Sequence, residues 1–265
     1  MRRTKFLVFT ALVIAVFSCS NDKPGLNILN SKSFNGIQIS MNEKLSSRLD
    51  RDTLTETQST LPEGNDALIK LEELIATASE IKTTPNDSSW NKFSAKWEDF
   101  RNNKLSGTVL QNKLLMQKWT GLNVDLLKFS GEIRFGDAIE NTLYTSPVPI
   151  ITESGLKSVI YTHVFDKIFV NILGASSMNY QHTTGGTVKL IQETDFPERH
   201  EMTLRCELED IRYMEVYIRI PSWAVNPTVT HGNVKYVPHP GEYCEISRKW
   251  KDGDEISVRL INPAP

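Results

Sequence analysis

Two strands written in strict alternation near the C-terminus constrain this chain more than any other stretch. Met214, Val216, Ile218 and Ile220 fall on one side of a period-two pattern, with Glu215, Tyr217 and Arg219 on the other, which is how a strand with one dry face is written. Pro221 ends it. Cys244 then shares a face with Ile246, Asp252-Gly253 supplies a positive-φ hairpin turn, and Ile256, Val258 and Leu260 alternate again. The pattern predicts a β-sandwich.

The preceding hundred or so residues carry a different period. Asn65-Asp66 opens a helix with Leu68, Leu71, Ile75 and Ala78 on one face and Pro85 just past its end. A second helix follows Asp87-Ser88-Ser89, and its Trp90, Phe93, Trp97 and Phe100 form a core stripe rather than a sugar platform, because helical spacing alone explains them. A third is expected from near Thr108 to about Ser130, with Leu110, Leu114, Met116, Leu122, Leu126, Leu127 and Phe129 on a wide apolar face and Gly131 as its stop. Phe135 to Tyr144 follows so soon that it must pack antiparallel as an αα-hairpin. The expected fold class is α+β: a short helical segment over 63–165, then an antiparallel β-sandwich over 166–265.

The N-terminus gives an address. A basic start, Met1-Arg2-Arg3-Thr4-Lys5, leads into an apolar run from Phe6 to Phe17 that is short for a membrane span and ends in Val16-Phe17-Ser18-Cys19. Residues 1–19 therefore read as a lipoprotein signal with Cys19 lipidated, the alternative being an ordinary signal peptide or a short anchor. The chain is expected in the bacterial cell envelope, on the outer membrane, in the periplasm or at the surface. Residues 20–62, polar and without a usable period, read as a flexible linker. With 39% hydrophobic residues a real core is available, and a net charge of −2 gives no basic footprint for nucleic acid.

Several spaced words carry a family resemblance. "IRIPSWA" and "RKWKDGDEISVRL" resemble the C-terminal sandwich of glycoside hydrolase family 127, the bacterial β-L-arabinofuranosidases. "WTGLNVDLLKFSGEIRFGDAIENTLYTSP" is similar to a helical hairpin of that family's (α/α)6 barrel. Within it Asp137 and Glu140 match positions that cap and brace the hairpin. The resemblance implies a zinc-held cysteine thiolate as nucleophile, with further cysteines and a glutamate as ligands. The matching positions fall at Asn112-Lys113-Leu114 and Ile151-Thr152-Glu153, and neither holds a cysteine. The space from Asn65 to Asp166 fits four or five helices of ~11 residues, against about twelve in a full barrel.

The expectation is a reduced, non-catalytic relative that binds glycans or supports polysaccharide utilisation, with no catalytic residue, metal or cofactor assigned. Trp223, Tyr236, Tyr243 and Trp250 are candidates for stacking on sugar rings if exposed, although each fits core or turn packing by itself. One competing reading is an active glycoside hydrolase using carboxylates such as Glu153 or Glu193 with a partner. Another is a structural envelope protein, or a decayed gene product, with no ligand. Cys206 and Cys244 fall on inward faces; a disulfide and a pair of inert thiols both remain open. The five histidines are too dispersed for a metal site.

Overall fold

The computed structural model describes residues 26–34, 38–49 and 65–261. The signal segment with Cys19 lies outside the described residues, as does the linker stretch 50–62.

Residues 26–34 and 38–49 do not behave as linker. They form β1 (Lys32–Ser33), β2 (Gln38–Met41) and α1 (Glu43–Ser46), with Ile39 and Leu45 buried. Backbone N–H groups of Leu29 and Asn30 donate to the Phe129 carbonyl, and that of Ser31 to the Lys128 carbonyl. Those carbonyls close a helix and have no partner within it. Strands of two and four residues are too short to show a period.

The helices are α2 (Asn65–Thr83), α3 (Asp87–Asn103), α4 (Lys113–Ser130), α5 (Ile133–Thr145) and α6 (Glu153–Lys157). Asn86 caps α3 by accepting from Ser89 N at 2.8 Å, and Gly131 ends α4 at φ 73°, the left-handed stop that glycine adopts without strain. Trp90, Phe93, Trp97 and Phe100 are all buried, each worth roughly 1.5–3 kcal/mol of apolar burial. Trp97 stacks on Trp119 at 5.3 Å, and its Nε1 donates to Asn123 Oδ1 at 3.0 Å. Two expectations shift. Gly107–Gln111 is a 3-10 turn, so α4 starts at Lys113, and there Leu115 takes the buried place while Leu114 is exposed. The inward stripe of α2 runs through Ala67, Leu71, Leu74, Ala78 and Ile81, leaving Leu68 and Ile75 half-buried.

The strands are β3 (Tyr161–Val164), β4 (Lys167–Val170), β5 (Ser176–Gln181), β6 (Thr187–Thr194), β7 (Glu201–Leu208), β8 (Arg212–Arg219), β9 (Val225–His231), β10 (Val234–Tyr236), β11 (Tyr243–Trp250) and β12 (Asp254–Ile261). They build a five-stranded sheet, β1-β3-β4-β8-β11, and a seven-stranded one, β10-β9-β12-β7-β6-β5-β2. Every pairing is antiparallel except β4 with β8, because the chain spends β5 to β7 in the other sheet before returning. Met214, Val216, Ile218 and Ile220 are fully buried, as their alternation requires. The sheets meet through contacts such as Tyr180 Oη to Met214 Sδ at 3.0 Å and Gln192 Nε2 to Tyr161 Oη at 3.0 Å. The fold is α+β, with helices seated against the end of a sandwich.

Candidate functional site

One buried cation ties the helices to the sandwich. By alternation Arg219 belongs to the outer face of β8, yet its side chain is completely buried, because α5 covers that end of the sheet. Its Nε donates to the Asn171 carbonyl and its Nη1 to Asp137 Oδ1, while Nη2 makes a close ion contact with Glu140 Oε1 at 2.6 Å. Gly136 makes room: a Cβ there would lie 2.7 Å from Arg219 Cδ. Asp137 Oδ2 also accepts from Ser222 N at 3.1 Å, and Glu140 Oε1 from Leu173 N at 2.9 Å.

The charges in this triad do not balance, since one guanidinium faces two carboxylates. Burial raises the Glu140 carboxyl above its ordinary value, against the pull of Arg219 and the Leu173 N–H. For Arg219 burial works against the charge, but Glu140 and Asp137 outweigh it and hold the guanidinium ionised. Arg219 thus keeps its charge, and burial favours the proton on Glu140. Asp137 and Glu140 fasten α5 to the sandwich, whereas the resemblance implied that they cap and brace the helical hairpin.

Beside this clamp lies a cleft of about 410 Å³. Its helical wall brings Arg101, Met116, Trp119, Asp137, Asn141 and Thr145 to one surface, and Trp223 reaches it from the loop after β8. Trp223 is half-buried; one side packs against Phe196 at 6.0 Å and His200 at 5.3 Å. A supported indole edging a cleft rimmed by amide and hydroxyl groups suits a sugar ring, which presents an apolar face and polar edges. Asn141, Thr145 and Arg101 carry no sequence signal, because they meet only through the packing of α3 against α5.

The other stacking candidates are placed elsewhere. Trp250 is fully buried and its Nε1 donates to the Met214 carbonyl at 3.0 Å, so it has no face to offer and is core packing. Tyr243 sits on the outer face of the five-stranded sheet beside Phe169 and Tyr217, its Oη bonded to Asn171 Oδ1 at 2.6 Å. Tyr236 lies half-buried on the edge strand β10. Cys206 and Cys244 are buried, free thiols rather than a disulfide. Burial first, then nearby carboxylates, pushes each up to about 12, so neither is a thiolate nucleophile near neutral pH.

The positions that match the family's ligands serve as helix caps. Asn112 Oδ1 accepts from Leu115 N at 3.1 Å and Thr152 Oγ1 from Gly155 N at 3.0 Å. A carboxamide and a hydroxyl so engaged do not fit a zinc ion, and among the described residues no group of three histidine, cysteine or carboxylate side chains is placed to hold a metal. Glu153 pairs with Lys157 on its own helix and Glu193 with Arg205 on the seven-stranded sheet.

Comparisons with known proteins agree with this architecture. Residues 167–261 match the family described as "Beta-L-arabinofuranosidase, GH127 middle domain". Among solved structures, a GH127 β-L-arabinofuranosidase from Geobacillus stearothermophilus T6 is similar at 16% identity and a TM-score of 0.55, over 77% of this chain and 44% of that one. A GH127 β-arabinofuranosidase, BT3674, is similar at 16% identity and 0.59, over 74% and 42%. A third, described only as a glycoside hydrolase, gives 17% identity and 0.50, over 56% and 32%. The chain thus spans less than half the length of each. No curated protein matches its sequence.

Proposed function

We propose, for a chain related to glycoside hydrolase family 127 through its sandwich and the helices docked on it, a non-catalytic carbohydrate-binding role at the Trp223 cleft. The observation that carries the reading is the fate of the carboxylates there. Asp137, the carboxylate that lines the cleft, is committed to Arg219, as is Glu140 behind it, which leaves an aromatic, the Arg101 guanidinium and neutral polar groups facing the cleft. A carboxylate-based glycosidase needs two carboxyl groups free to flank a glycosidic bond, and a thiolate-based one needs a reactive cysteine, which the buried Cys206 and Cys244 do not supply. The cleft offers recognition without either.

Purified protein is expected to bind arabinan or pectic oligosaccharides, with Trp223→Ala weakening the affinity about tenfold, ~1.4 kcal/mol. It is expected to leave an aryl β-L-arabinofuranoside intact. Turnover that survives Cys206→Ser and Cys244→Ser would establish the carboxylate-based hydrolase instead, and the absence of any glycan binding would favour the structural reading.

The address belongs to the same proposal: lipid attached at Cys19 holds the protein in the bacterial envelope. Among the described residues no helix is long and apolar enough to cross a membrane. Cys19→Ala is expected to abolish labelling by a fatty-acid probe and to shift the protein out of the membrane fraction. Unchanged labelling would remove the anchor from this account.

A further inference from the structure

A groove of about 850 Å³, larger than the Trp223 cleft, lies at the open edge of the sandwich. That volume falls within the range of roughly 300–1,000 Å³ typical of ligand sites. The edge strands β1 and β2 and the strands beside them line it: Lys32 and Ser33 from β1, His163 and Val164 from β3, Gln38 from β2, and Asn179 to Gln181 from β5.

Three features describe what would fit. First, Phe34 lies flat on His163 at 4.4 Å and 25° and tilts toward Tyr180 at 5.2 Å, giving the groove an aromatic wall. Second, Phe165 at the β3–β4 turn is 84% exposed and sits at φ 53°, a backbone region that costs a bulky residue energy. Burial does not explain a phenylalanine there; a bound partner covering its ring does. Third, the polar lining is neutral in balance. Gln38, Asn179 and Gln181 offer carboxamides, Thr183 and Thr187 hydroxyls, and the charged residues are one lysine, Lys32, and one aspartate, Asp166, which accepts from Thr183.

Carboxamides and hydroxyls both donate and accept, as sugar hydroxyls do, and aromatic walls take the apolar faces of sugar rings. An anionic polymer would call for a basic excess that a single lysine does not supply. A peptide would be captured by adding a strand to an exposed edge, but the edge strands here are only two and four residues long, which is how sheets avoid that pairing. We propose that this groove is a second carbohydrate site, taking a neutral oligosaccharide and separate from the Trp223 cleft.

Phe165→Asn tests it, because asparagine accepts the left-handed backbone while removing the ring. Isotope-labelled protein would be titrated with neutral arabino- and xylo-oligosaccharides, with oligogalacturonate and with extended peptides, following amide resonances. The neutral sugars are expected to move the resonances of 163–166 and 179–183. Phe165→Asn should weaken that binding about five- to tenfold with the melting temperature unchanged or raised, and Trp223→Ala should leave it intact. Wild-type affinity in Phe165→Asn, sugar-induced shifts confined to the Trp223 cleft, or a groove that responds only to peptide or oligogalacturonate would each overturn the proposal. Shifts at the groove with none at the cleft would uphold it and remove the cleft reading instead.

Discussion

Replacing Arg219 with leucine is expected to destabilise the protein by roughly 3–5 kcal/mol, the usual cost of removing one partner from a buried ion pair. Leucine matches much of the volume, so the loss comes from what stays behind. Asp137 and Glu140 would keep their places on the inner face of α5 without a cation, and the Asn171 carbonyl would lose its donor. Chemical denaturation should show the lower midpoint. Replacing all three charged residues with apolar ones of similar volume should cost far less, since the penalty lies in the unpaired charge. Equal losses in the single and triple variants would mean that Arg219 contributes through packing alone.

Glu140→Gln supplies the pH arm of the same prediction. The folded protein holds the Glu140 proton more tightly than the unfolded chain, whose carboxyl titrates near 4.5. The stabilisation from that proton is therefore complete below pH 4.5 and is lost as pH rises through the raised folded value. Melting temperatures taken across this range should show the glutamine variant gaining on the wild type as pH rises. A difference that does not change with pH would show that Glu140 titrates as an ordinary carboxyl.

Ile218→Asp is the second large effect, expected to cost about 4 kcal/mol or more. Ile218 is fully buried on β8, opposite Cys244 on β11 and Val170 on β4. An aspartate there is flanked by apolar side chains between two sheets and meets no cation. Ile211, 63% exposed just before β8, is the control; Ile211→Asp should stay within about 0.5 kcal/mol of wild type. If the two variants melted together, the inward face of β8 would be the opposite one.

Ile218 and Arg219 also show how far the sequence could be read. Alternation needs only neighbours along one strand, so the dry face of β8 was legible, as was the aromatic stripe of α3. The same alternation sent Arg219 to the wet face. Nothing local announces that α5 will cover that end of the sheet, and Asp137 is 82 residues away. Trp250 stood open between a sugar-stacking face and core packing, because a tryptophan in a polar run near a turn fits either, and the strand register places it in the core. The cleft was half legible: Trp223 came from a recognisable word, whereas Asn141, Thr145 and Arg101 gain meaning only once three separate elements converge. The groove at the sandwich edge was not legible at all, since β1 and β2 are too short to carry a pattern.

The docked N-terminal segment sets a leash length. Leu26 already donates its N–H to Asp87 Oδ1 at 2.8 Å, and the next few residues are fastened to the end of α4. With lipid on Cys19, as proposed, six residues separate the anchor from Leu26, a span of at most about 25 Å. A free tether over 20–62 would have reached roughly 150 Å. The protein would then work as a fixture pressed close to the bilayer rather than a float fishing the surrounding space, and a polysaccharide would have to be delivered to the membrane before either aromatic surface could hold it.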